Sequence, residues 1–108
     1  MYNLSDLFSC CHELIENANK SAKEFANDDM HDLSDLSIEA ANACRLIVNN
    51  DDHNISMMAA LSNGVEICEK CAEECEKHPS IKSFRTAIVC HKCANIARSL
   101  YMMGKRAA

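Results

Sequence analysis

Turn-forming residues are scarce in this sequence, with two glycines and one proline among 108 residues. That is too little turn chemistry for a hairpin-rich β protein, and the abundance of Ala, Leu, Glu, Lys, Asn and Ser makes an all-helical chain the default. Tryptophan is absent and apolar runs are short. None approaches the ~20 residues that span a bilayer, which argues against a membrane partner. The opening "MYNLSDLFSCCHELIENANK" lacks a basic leader, an apolar h-region and a small-residue cleavage site, so it does not read as a signal peptide and a cytoplasmic location is expected. Positive charge is thin as well: eleven Lys and Arg stand against sixteen Asp and Glu, for a net charge of −5. The basic residues form no cluster beyond the terminal "GKR", and no nucleic-acid partner is expected, because phosphate binding needs a concentrated positive face. No Ser/His/Asp constellation, phosphate loop or buried carboxylate pair stands out, so the chain does not read as an enzyme. Glu66, Glu69, Glu73, Glu74 and Glu76 read as a solvated helix face.

What is present is helical periodicity and sulfur. Apolar residues recur at three- and four-residue steps in four segments of roughly 20 residues. The first opens at Ser5 as N-cap and carries Leu4, Leu7, Phe8, Cys11, Leu14, Ile15, Ala18, Ala22 and Phe25, ending near "NDD". The second runs from about Met30 to Val48 and stops at "NNDDHN". The third starts near Asn54 and continues until Pro79 forbids it. Ser80 then caps the fourth, about Ile81 to Met103, whose buried arc is read as Phe84, Ala87, Ile88, Cys90, Ala94, Ala97 and Tyr101. Short links make neighbouring rods antiparallel, and the expected fold over residues 1–108 is a single antiparallel up-down-up-down four-helix bundle.

Eight cysteines are distributed over these rods. In "CEKCAEECEKH", Cys68, Cys71, Cys75 and His78 fall within an arc of roughly 80° on the third helix. Cys90 and Cys93 lie about 60° apart on the Ala-rich arc of the fourth. Cys11 and Cys44 sit on the apolar seams of their helices, and Cys10 lies at the flank of the first. Antiparallel connectivity places Cys10, Cys11, Cys44 and Cys93 in nearly one layer, followed by Cys90 and Cys68, then Cys71, then Cys75. Met58 and Met102 or Met103 gather at the near mouth, and His78 lies at the far mouth beside Met30 and His31. His12 and His53 read as solvated, and His91 reads either way.

One or two buried thiols need no explanation, because free Cys packs as a small hydrophobe. Eight, at least seven of them pointing inward, in a compartment that keeps thiols reduced, point to metal binding or redox chemistry. Structural zinc wants a tetrahedral set, usually from knuckles or loops, and iron-sulfur clusters usually sit in loops that wrap them. A thioredoxin-like pair expects a βαβ context. Soft thiolates select Cu(I), which accepts low coordination numbers, so two sulfurs at i and i+3 on a helix can flank one ion. Several Cu(I) ions in a column is the sharp reading. A zinc-stabilised or metal-free helical interaction module whose cysteines mainly pack is the alternative, and a thiol redox sensor a third.

The order CxxCxxxCxxH at 68–78, CxxCA at 90–94, "ARSLYM" near the end and "SIEAANACRLIV" around Cys44 resembles the Cys-rich four-helix-bundle copper storage proteins, in their cytosolic branch. The resemblance implies multinuclear Cu(I) storage by inward thiolates, with Cys10, Cys11, Cys44, Cys68, Cys71, Cys75, Cys90 and Cys93 as ligands and His78 or Met residues near the mouths. It also implies a homo-oligomer, a dimer or tetramer, and no catalysis. The lower first helix (Leu14, Ile15, Ala18, Ala22, Phe25) together with Leu61, Gly64 and Ala97 holds positions where this family carries thiols, so a reduced capacity is expected.

Overall fold

A computed structural model describes residues 2–50 and 56–107. Its elements are four helices: α1 (Leu4–Asn27), α2 (His31–Val48), α3 (Met57–Lys77) and α4 (Ile81–Ala107). The described residues contain no strand, and no helix among them is long and apolar enough to cross a membrane.

The helix ends follow local chemistry. Asn3, rather than the expected Ser5, caps α1: its side chain accepts the amide of Asp6, whose carboxylate accepts the Asn3 amide, each at 2.9 Å. This reciprocal pair satisfies two of the orphan donors of the first turn, which Ser5, already inside the helix, cannot do. The other end of α1 closes as a Schellman motif. Asp29 takes φ 61°, and the amides of Met30 and Asp29 donate to the carbonyls of Phe25 and Ala26. Asp is one of the few residues that adopts the left-handed region without large cost. The expected start of α3 at Asn54 lies outside the described residues; the helix itself begins at Met57, with the Ser56 hydroxyl accepting the Ala59 amide. Ser80 and Ser83 cap α4 by exchanging amide-to-hydroxyl bonds, and α4 runs on to Ala107, past the expected end at Met103.

α1 packs against α2 and α4, and α3 against the same two, so α2 and α4 occupy opposite corners of the bundle. Along the α1–α4 seam, Lys82 meets Glu24 and Asp28, Thr86 meets Ser21, Lys92 meets Glu13 and Cys93 meets Cys10. One set of numbers falls as the other rises. Small residues keep the axes close: Ala18, Ala40, Ala41, Ala60, Ala72 and Ala94 are all buried. At Gly64 a Cβ would lie only 2.9 Å from Ile47 Cδ1, so the α2–α3 contact there depends on the missing side chain.

The buried arc of α4 differs from the one expected. Phe84 and Ile88 are 49% and 66% exposed, while Ser83 and Thr86 are buried with Ala87, Cys90, Cys93, Ala94 and Ala97. The hydroxyls can go inside because each finds a partner. Ser83 donates to the His78 carbonyl at 2.6 Å, and Thr86 to the Ser21 hydroxyl and the Lys82 carbonyl at 3.0 Å. A satisfied hydroxyl costs little to bury. On α1, Leu4 is likewise exposed, one turn beyond the core.

Candidate metal centre

All eight cysteines are free, and none is more than 2% exposed. Cys10, placed at the flank of α1 by helical periodicity, is as buried as the rest, because α4 covers it: the Cys93 thiol donates to the Cys10 carbonyl at 3.1 Å. On α3 the i, i+3, i+7 spacing of Cys68, Cys71 and Cys75 makes a single inward stripe, with buried Ala72 beside it. On α4 Cys90 and Cys93 repeat the i, i+3 step.

The thiols touch one another across helix boundaries. Cys93 contacts Cys10, Cys11 and Cys44, which joins α1, α2 and α4 in one group. Cys71 contacts Cys75 and Cys90, and Cys90 contacts Cys68, which joins α3 and α4 in a second. Cys68 also contacts Cys44, and this bridges the two groups into an unbroken run of eight sulfurs. Ser37 lies against Cys71 while donating its hydroxyl to the Leu33 carbonyl at 2.8 Å. Sequence reasoning missed Ser37, although it stands seven residues before Cys44 on the same α2 stripe.

Hydrogen bonding among the thiols favours the thiolate at some sulfurs and the thiol at others. Thiol contacts from Cys44 and Cys90 draw Cys68 down to about 5, and those from Cys75 and Cys90 draw Cys71 down to about 4, with burial opposing. Cys10 is lowered by Cys93. The partners go the other way: Cys11 is pushed up to about 12 by Cys44, and Cys75, Cys90 and Cys93 are raised by Cys71, Cys68 and Cys10 respectively.

Apolar layers close the column at both ends. Leu7, Ile47 and Leu61 are buried on the side nearer the N-terminus, and Phe25 and Leu33 on the other. Leu61 and Ala97, positions that hold no thiol, are part of this packing. Among the described residues no three of His, Cys, Asp and Glu already surround one point as a ligand set. Close-set soft sulfur donors suit Cu(I), which accepts low coordination numbers.

His78 is placed apart from the thiols. It is the C-cap of α3, exposed, and lines a cavity of about 380 Å³ with Asp29, Met30, His31, Asp32 and Leu33. The structure therefore brings together His78, Met30 and His31, as the connectivity led one to expect. His12 is exposed, His91 is exposed and pairs with Glu76, and His53 lies outside the described residues. At the near mouth Met58 packs over Gly104, where a Cβ would stand 2.5 Å from its Sδ, while Met102 and Met103 remain largely exposed.

Comparison with curated proteins and with solved structures finds no match. A family model described as "Copper storage protein" matches residues 2–102. That span takes in all four helices up to the last turn of α4 and every cysteine, and the chain belongs to the copper storage protein family.

Proposed function

We propose that this protein stores and buffers Cu(I) in the cytoplasm, with Cys10, Cys11, Cys44, Cys68, Cys71, Cys75, Cys90 and Cys93 as core-facing thiolate ligands and no catalytic role. The observation that carries the reading is the continuous run of eight free, buried thiols contributed by all four helices. A thiolate buried alone is costly, and a bound cation offsets that cost. His78, beside Met30 and His31 in the far-mouth cavity, is read as an outer ligand that meets arriving ions. The reading takes residues 1–108 as a single domain with its helices antiparallel in up-down-up-down order, supported by the falling partner numbers along α1 and α4. It takes copies of the chain to associate as a homo-oligomer.

Capacity follows from the sulfur count. At two sulfurs per ion, eight thiols hold about four ions when no sulfur bridges and about eight when every sulfur bridges two. The Leu, Ile, Phe and Ala layers at both ends add no thiol to the eight, and this is the sense in which capacity is reduced. Anaerobic titration of the reduced protein against a competing Cu(I) chelator tests the reading. Between four and eight equivalents are expected, and retention of less than one equivalent overturns it. A zinc-induced rise in melting temperature without Cu(I) retention would instead support the packing-module reading.

A further inference from the structure

Charge is segregated in this chain. α4 carries Lys82, Arg85, Lys92, Arg98, Lys105 and Arg106 and no Asp or Glu, which leaves residues 1–80 with five cations against all sixteen carboxylates. Three of the α4 cations are engaged within the bundle: Lys82 with Glu24 and Asp28, Lys92 with Glu13, and Arg98 with Glu69. Arg85 has no ion-pair partner among the described residues. It stands on the outer ridge of α4 beside Ile81, Phe84 and Ile88, and Ile81 is 72% exposed.

The opposite corner of the bundle carries the complement. On the outer ridge of α2, Ile38 and Leu46 are both exposed, with Asn42 between them and Asp35 and Glu39 alongside. Next to that ridge a groove of about 330 Å³ is lined by Asp32, Asp35, Glu39 and Glu74, with Lys70 the one cation among its lining residues. The apolar lengths agree: Ile81 to Ile88 spans about 10 Å and Ile38 to Leu46 about 12 Å at 1.5 Å per residue.

We infer that the outer ridge of α4 in one copy docks on the outer ridge of α2 in a second copy, with Arg85 entering the acidic groove and Ile81, Phe84 and Ile88 covering Ile38 and Leu46. This deepens the self-association part of the function proposed above and does not depend on copper. An anionic bilayer is the other surface a basic, apolar ridge could meet. It is disfavoured because the rest of the chain repels it and the α2 ridge would stay uncovered. Because the two ridges lie at opposite corners, each copy presents one of each, so the contact is head-to-tail rather than a two-fold pair, and it builds a ring or an open array according to the rotation between copies.

Sedimentation equilibrium of the full-length, reduced, copper-free chain tests this, with circular dichroism melts to show that each variant folds. At low salt the weight-average mass is expected to rise at least twofold with concentration and to fall back toward the monomer near 0.5 M salt, where surface charges are screened beyond about 4 Å. Arg85→Glu and Glu39→Arg should each hold the chain monomeric, and an equimolar mixture of the two should associate again. An oligomer indifferent to both substitutions overturns the ridge assignment while leaving self-association standing. A wild-type chain monomeric throughout overturns both. Loss of association with Arg85→Glu but not Glu39→Arg, or binding to phosphatidylglycerol vesicles without self-association, overturns the assignment of a second copy as the partner.

Discussion

Cys71→Ala separates packing from ligation in one measurement. Cys71 is fully buried and touches Cys75, Cys90 and Ser37, so the substitution removes one sulfur from a closed site and leaves a small cavity. The packing loss is about 1–2 kcal/mol, from roughly 0.8 kcal/mol for a methylene-sized group plus the cavity. At 4–8 °C per kcal/mol for a domain of this size, the metal-free variant should melt roughly 5–15 °C below wild type. Copper adds a separate effect. An ion at a free concentration one hundred times its dissociation constant stabilises the folded state by about 2.7 kcal/mol. If Cys71 is a ligand, the variant forfeits up to one such ion, and the gap between variant and wild type should widen by about 2–3 kcal/mol when Cu(I) is supplied from a chelator buffer. Thermal unfolding followed by circular dichroism, anaerobically and with and without buffered Cu(I), reads both gaps. A gap unchanged by copper would refute the ligand assignment and leave Cys71 a packing residue. Cys71→Ser is the control: it restores most of the volume but supplies a hard oxygen, so the metal-free gap should shrink while the copper-dependent one stays.

Three further outcomes follow from the fold. Asn3→Ala should cost about 1 kcal/mol in urea unfolding, because it breaks the reciprocal cap with Asp6, whereas Ser5→Ala should stay within about 0.5 kcal/mol. Phe25→Ala, in the apolar layer beyond the thiols, should cost about 3–5 kcal/mol yet leave the Cu(I) stoichiometry of the folded protein unchanged in the anaerobic titration. At about 0.5 M salt, where the chain is monomeric, Ile88→Ser should change stability by less than about 0.5 kcal/mol, since that side chain is 66% exposed; a loss of about 2 kcal/mol or more, of the size seen for core residues, would contradict the orientation of α4.

Much of the site was legible because it lies on helices. An i, i+3, i+7 series such as Cys68, Cys71 and Cys75 shares a face in any α-helix, whatever packs against it, and short links leave few ways to arrange four amphipathic rods. The same logic misled where two stripes compete. On α4 the residues 81, 84 and 88 and the residues 83, 86, 87 and 90 are both helical series, and hydrophobicity alone favours the wrong one. What decides between them is whether Ser83 and Thr86 find acceptors, and these come from the His78 carbonyl and from Ser21 on another helix. The cap of α1 was misplaced for a related reason: Asn3 and Ser5 are both good caps in isolation, and the Asp6 carboxylate is three residues from only one of them.

The sequence by itself determined that this protein is helical and that its thiols lie in stripes at helical spacing. Both are properties of neighbours along the chain. Only the tertiary structure decided that Cys10 is covered, that Cys44 bridges to Cys68, that Ser37 joins the thiol run, and that basic and acidic ridges stand at opposite corners. Those contacts join residues tens of positions apart, and they depend on how each rod is turned about its own axis, a choice governed by packing and hydrogen-bond satisfaction rather than by periodicity.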